Sequence, residues 1–218
     1  MVTFDIDKVM EALEEAVTAW DTPAVTIVSQ RDHDPFKVLI SCILSLRTKD
    51  TTTGAASARL FSLADTAEKM LGLTQTQIEE AIYPVGFYHT KAAQIIEICR
   101  LLHEKYDGYV PESIEELLRF KGVGRKTANL VVTLGFGKPG ICVDTHVHRI
   151  CNRWGYVETA TPEETEFRLR EILPRKYWLR INDLLVTFGQ NLCRPVSPFC
   201  SKCPIYEYCK RVNVGKNR

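Results

Sequence analysis

The chain has 218 residues, enough for one large domain or two small ones around a buried core. Its 45% apolar and 25% charged residues are ordinary for a globular protein. The longest clean apolar run, residues 38–44 interrupted by Ser41, is too short to cross a bilayer, and a net charge of +1 does not announce a nucleic-acid binder. Only the stretch from Arg194 onward is locally basic, with Lys202, Lys210, Arg211, Lys216 and Arg218 against Glu207, and on charge alone it reads as a solvated tail.

The first residues, MVTFDIDKVMEALEE, are acidic and amphipathic, which argues against a secretory signal. Ile6, Val9, Met10, Leu13, Val17 and Trp20 recur at helical spacing. The run VTIVS, residues 25–29, is strand-like, but one short strand makes no sheet. Asp34 followed by Pro35 caps and opens a strongly apolar helix, FKVLISCILSL, expected at the centre of the fold. Short helices are predicted over residues 68–71 and 78–82. A longer one over 91–105 is stopped by Asp107 and Gly108, and Ser113 with Glu116 forms a capping box. Further helices start near Arg125, after Asp144 (to about Trp154) and after Thr161-Pro162 (to about Leu173). The last, over residues 177–192, leads into Cys193. The expected class is all-α. Cys42, Cys99, Cys142 and Cys151 lie among apolar neighbours and read as reduced core residues, which places the protein in the cytoplasm.

Chemistry concentrates in three places. Cys193, Cys200, Cys203 and Cys209 are spaced C-x6-C-x2-C-x5-C, so four thiolates can close around one metal centre. The spacing disfavours disulfides and leaves zinc and a [4Fe–4S] cubane both open. Between two helical patterns lies FKGVGRKTA, residues 120–128. Gly122 and Gly124 permit a tight hairpin, and the amides at the helix start that follows can receive a phosphate; the plain alternative is a helix–helix turn. Lys126 falls in the first turn. The helix dipole and burial there would both favour a neutral, nucleophilic amine; otherwise it is a surface lysine that binds phosphate. Asp144 precedes a helix as an N-cap. Beside an active lysine, a carboxylate there can also take a proton from the amine or stabilise positive charge growing on a sugar ring. His146-x-His148 is weak evidence for a metal.

Taken in order, these segments resemble the endonuclease III family of DNA glycosylases, within the helix-hairpin-helix superfamily. The matching segments are FKGVGRKTAN with Lys126, VDTHVHR with Asp144, and the four-cysteine loop. Gly86-Phe87-Tyr88-His89-Thr90-Lys91-Ala92 is similar to the family's G-L-Y-x-x-K-A turn, and LISCILSLRTKD, residues 39–50, matches a helix end lining its DNA cleft. The resemblance covers about residues 30–210. It implies an all-α fold in two lobes with a DNA cleft between them. One lobe is a six-helix barrel over residues 25–138. The other joins 1–24 to 139–218 and holds a [4Fe–4S] cluster on Cys193, Cys200, Cys203 and Cys209.

The implied reaction is removal of oxidised pyrimidines from duplex DNA, by base flipping, a Schiff base at Lys126 assisted by Asp144, and β-elimination that cuts the strand. Gly122, Val123, Gly124, Arg125 and Thr127 would hold a backbone phosphate; Arg47, Phe87 and His146 would fill the gap left by the flipped base. The chain departs from the family at Arg47, often glutamine, which bears on opposite-base preference. It departs also in the RPVSPF loop after Cys193, which holds one basic residue where the family usually has more. Mismatch and adenine glycosylases of the superfamily usually lack a lysine at position 126, and a non-catalytic DNA-binding module would not need Lys126 and Asp144 together. The expected partner is double-stranded DNA with damaged bases or abasic sites. No membrane is expected, and the protein should be a cytoplasmic, nucleoid-associated monomer.

Overall fold

The computed structural model describes residues 3–20 and 22–218. Among these residues every regular element is helical and no strand forms, as the class expectation requires. No described helix is long and apolar enough to cross a membrane. The chain divides into two compact units, one of residues 24–140 and one joining 1–23 to 141–218.

The second of these is built from α1 (Ile6–Val17), α10 (Thr145–Trp154), α11 (Pro162–Ile172) and α12 (Ile181–Asn191). The predicted α1 stripe buries Val9, Met10 and Leu13 completely, in one core with Ile150, Trp154, Ile181, Leu185 and Phe188. Polar ties close the same seam: Tyr177 Oη donates to Asp7 Oδ1 at 2.6 Å, Lys176 Nζ lies 2.7 Å from that oxygen, and Arg180 reaches Glu14 at 2.8 Å. The last helix starts later than position 177, because Arg175–Tyr177 form a 3-10 turn first.

The contiguous unit contains α2 (Ala24–Asp32), α3 (Pro35–Ser45), α4 (Asp50–Leu63), α5 (Ala67–Leu71), α6 (Gln75–Ile82), α7 (Tyr88–Tyr106), α8 (Ile114–Leu117) and α9 (Arg125–Leu130). A π-helical stretch, Val131–Gly135, continues α9. The Asp34 carboxylate accepts from Phe36 N at 2.8 Å and Lys37 N at 3.4 Å, so α3 begins where the sequence predicts. Every residue from 38 to 44 is buried. Each large aliphatic among them contributes about 1.5–3 kcal/mol of burial. The one polar member, Ser41, is satisfied by Ser57 Oγ at 3.2 Å.

Two elements depart from expectation. Residues 25–29 are helical in α2, not extended. Val25, Thr26 and Ser29 are all buried, and Ser29 Oγ donates to Leu134 O at 2.8 Å, so packing overrides β-branched propensity. Helix α4 carries no apolar stripe to announce it. Its buried face is Thr53, Ala56, Ser57 and Leu60, which have helical spacing but are mostly small. A Cβ on Gly54 would lie 3.8 Å from that of Ala24, consistent with close α2–α4 packing.

Candidate functional site

The hairpin before α9 turns through Gly122 at φ 79°. Gln94 of α7 supports it, donating Nε2 to Lys121 O at 2.9 Å, and the positive φ at Gly122 favours glycine there. Val123 is buried and its N–H donates to Phe120 O at 3.0 Å. The Val123 amide, one of the three expected to receive a phosphate, is thus engaged within the turn. Gly124 is the N-cap of α9, extended and without a side-chain cap. Beyond it Arg125 is half-buried, Lys126 exposed and Thr127 buried. Lys126 is therefore exposed as a residue, where the sequence suggested burial. Its charge is felt nearby, for burial pushes the Cys42 thiol on α3 up to about 12 while Lys126 pulls it down by a smaller amount.

Asp144 is buried at the N-terminus of α10, where Oδ1 accepts from His146 N at 2.8 Å and Val147 N at 3.0 Å. The N-cap reading is the observed geometry. His146 is half-buried; its Nδ1 lies 3.1 Å from Arg149 Nη2, and the same guanidinium nitrogen donates to Cys193 O at 2.9 Å. A Cβ on Gly189 would fall 2.3 Å from His146 Nδ1, so α12 can approach only as glycine. His148 is engaged differently, with Nδ1 2.7 Å from Thr165 Oγ1, so the two histidines face different partners rather than one metal.

Arg47 and Phe87 are both exposed, and both are non-glycine residues with left-handed backbone, φ 54° and 58°. The Arg47 guanidinium lies 5.7 Å from the centroid of the Phe87 ring. Beneath them Lys91, buried in the first turns of α7, donates Nζ to Leu44 O at 2.9 Å, Leu46 O at 2.5 Å and Thr48 Oγ1 at 3.2 Å. Burial pushes its ammonium down to about 8. Three acceptors around it oppose that by taking all three of its protons.

The four C-terminal cysteines line one small pocket, walled also by Trp154, Phe188 and Phe199. All four are free thiols, and among the described residues no three His, Cys, Asp or Glu side chains gather tightly enough for a single ion. Arg153 clamps both ends of the segment. Its guanidinium donates to Arg194 O at 2.7 Å, Pro195 O at 2.8 Å and Cys193 Sγ at 3.4 Å. Its carbonyl accepts from Val212 N at 3.0 Å and Cys209 Sγ at 3.5 Å. The basic stretch keeps Arg194, Lys202, Lys210, Lys216 and Arg218 exposed, but its backbone is folded back rather than loose. Phe199 is flanked by Arg194 at 5.2 Å and Arg218 at 4.3 Å, and Arg218 N donates to Pro198 O at 2.8 Å. The sequence assigned no role to Arg153, Gln94 or Lys91. Arg153 carried the faint signal of a basic residue in a helix's last turn; Lys91 stood only as the lysine of the G-x-Y-x-x-K-A turn, and Gln94 carried no signal.

Comparison with known proteins adds a family. The group described as HhH-GPD superfamily base excision DNA repair protein matches residues 40–175. An endonuclease III of Thermotoga maritima is 47% identical over 84% of this chain and 85% of its own length. An endonuclease III-like protein 1 of Gallus gallus is 43% identical over 80% of this chain, which spans 63% of that longer protein. A solved non-covalent endonuclease III–DNA complex superposes with a TM-score of 0.81 at 32% identity, covering 97% of both chains.

Proposed function

The chain belongs to the endonuclease III group of the HhH-GPD superfamily of base excision DNA repair proteins, and we propose that it excises oxidised pyrimidines from duplex DNA with Lys126 as nucleophile. As a member of that group it is a DNA glycosylase with AP-lyase activity. One observation carries the assignment of Lys126. Inside the matched residues, a glycine hairpin hands the chain directly to an uncapped helix start, and Lys126 stands exposed in the first turn.

In this reading the Gly122 and Gly124 amides and Arg125 hold a backbone phosphate without reading sequence. Thr127 is buried beside them in the same first turn. The Lys126 amine attacks C1′ as the base departs. Asp144 takes the amine's proton and stabilises the developing sugar cation; its pairing with Lys126 rests on the family resemblance. The Schiff base acidifies the C2′ proton, and β-elimination breaks the strand on the 3′ side. Arg47, Phe87 and His146 fill the space left by the flipped base. The enzyme works on DNA in the nucleoid.

Residues 24–140 would form the barrel-and-hairpin domain and the other unit the cluster domain. The donor set suits a [4Fe–4S] cluster: four soft thiols around a mostly apolar cavity, with the Arg153 cation beside them. A cubane takes one thiolate at each of four irons, which matches thiols spread around a cavity. The cluster would serve as a fold staple and has no step in the chemistry.

The test is borohydride trapping on duplex DNA carrying an oxidised thymine. The parent should give a covalent adduct, and Lys126→Ala should give no adduct, no base release and no strand cut. Base release by Lys126→Ala at the parent rate would place the nucleophile elsewhere.

A further inference from the structure

Two loops of the contiguous unit meet beneath Arg47 and Phe87, and their junction is built to unusual closeness. Gly86 packs against the first loop so tightly that a Cβ there would fall 2.8 Å from Arg47 O. The Gly86 N–H donates to Thr48 Oγ1 at 3.2 Å, and that hydroxyl in turn donates to Leu46 O at 3.3 Å. Adding Lys91 Nζ fills the second lone pair of Thr48 Oγ1, so the hydroxyl is fully used.

Left-handed backbone is unfavourable for arginine and phenylalanine, so something must hold both turns in it. Lys91 reaches both. Its ammonium bonds the carbonyls at Leu44 and Leu46 and the Thr48 hydroxyl, on either side of Arg47. Its backbone N–H donates to Phe87 O at 3.0 Å. The ammonium therefore finishes the carbonyl end of α3 and ties it to the start of α7 in one stroke.

We propose that Lys91 is a positioning residue that holds the Arg47 and Phe87 turns as one paired wedge, so that discrimination of the base opposite the lesion depends on it. The inference rests on the reading of Arg47 and Phe87 as gap-filling residues. Lys91 touches no DNA in this scheme. It acts by fixing the directions in which two exposed side chains leave the backbone.

The experiment measures single-turnover base release from four duplexes, each with one oxidised thymine opposite a different base. It also measures strand cleavage at a preformed abasic site, where no base need be extruded. For Lys91→Met, base release should fall about 10²-fold, the scale of a displaced positioning group. The spread among the four opposite bases should collapse, and cleavage at the abasic site should fall by no more than about tenfold. Equal losses on every substrate, with the parent's opposite-base pattern kept, would mean a purely structural lysine and overturn the proposal. If Lys91→Met does not fold by circular dichroism, Thr48→Val carries the test. It removes one acceptor of Lys91 and the partner of Gly86, and should shift the same pattern in the same direction by a smaller factor; a parent-like pattern overturns the proposal. Arg47→Ala and Phe87→Ala separate the two layers. If neither alters the opposite-base pattern, the wedge reading falls and this proposal with it. If they alter it and the Lys91 or Thr48 variant does not, only the role of Lys91 falls.

Discussion

Asp144 combines two roles that substitution can pull apart. Its Oδ1 takes two amides, at 2.8 and 3.0 Å, at the start of the ten-residue helix α10, and the residue is only 8% exposed. Asparagine keeps an oxygen in the same place and caps nearly as well, so Asp144→Asn should change stability by about 0.5 kcal/mol or less. Alanine removes the acceptor and leaves the His146 and Val147 amides unpaired, at a cost of about 1–2 kcal/mol. For a chain of this length that lowers the melting temperature by about 2–8 °C. Both variants lack the carboxylate, so both should lose about 10²-fold or more in base release while still binding the duplex. Thermal unfolding followed by circular dichroism, beside single-turnover assays, reads the two effects separately. Equal melting temperatures for Asp144→Asn and Asp144→Ala would refute the capping argument. An Asp144→Asn enzyme at parent speed would remove Asp144 from the chemistry.

Three further outcomes are expected. An arginine fork pairs best with guanine, so the parent should excise faster opposite guanine than opposite adenine. Arg47→Gln should flatten that difference while leaving Lys126 trapping intact; equal loss opposite every base with a shallower salt dependence would make Arg47 a phosphate contact instead. Arg153→Met removes the donors to Arg194 O, Pro195 O and Cys193 Sγ, so the purified variant should hold well under the about four irons per chain expected of the parent, read by iron analysis and visible absorbance. Stoichiometric zinc in the parent, without absorbance in the visible, would sink the cluster reading. The Asp7 carboxyl is held below its ordinary value of 3.8, first by the hydrogen bond from Lys176 and then by that from Tyr177. A depressed folded value means its contribution is present above 3.8 and lost as pH falls through the folded value. The stability gap between parent and Asp7→Asn should therefore be open at neutral pH and close in acid, as denaturant titrations at several pH values would show.

What the sequence disclosed was mostly local. Asp34, Thr161 and Asp144 cap the helices they precede because a cap acts on amides two or three positions away. The four cysteines could be grouped because spacing alone bounds how far they spread. Helix α4 stayed hidden because, Leu60 apart, its inner face is threonine, alanine and serine, suited to closeness rather than hydrophobicity. The partners of Lys91 stayed hidden for a different reason: its acceptors lie 43 to 47 positions earlier, and no pattern within a helix reports such a partner. Nor could the exposure of Lys126 be read in advance, since a first-turn lysine has the same neighbours in sequence whether water reaches it or not.

The two units also differ in how the ribosome delivers them. Residues 24–140 are one uninterrupted stretch and can collapse as soon as they emerge. Helix α1 is synthesised before the rest of its core: the partners of Val9, Met10 and Leu13 include Ile181, Leu185 and Phe188, and Asp7 waits 170 residues for Tyr177. An amphipathic helix is thus left with its oily side uncovered while the intervening unit is made. The cysteines arrive later still, after both halves of their own core exist. Folding should accordingly run from the middle of the chain outward, with the cysteine segment closing onto its core late. A nascent chain paused before residue 181 should be a better chaperone client than one paused after residue 209.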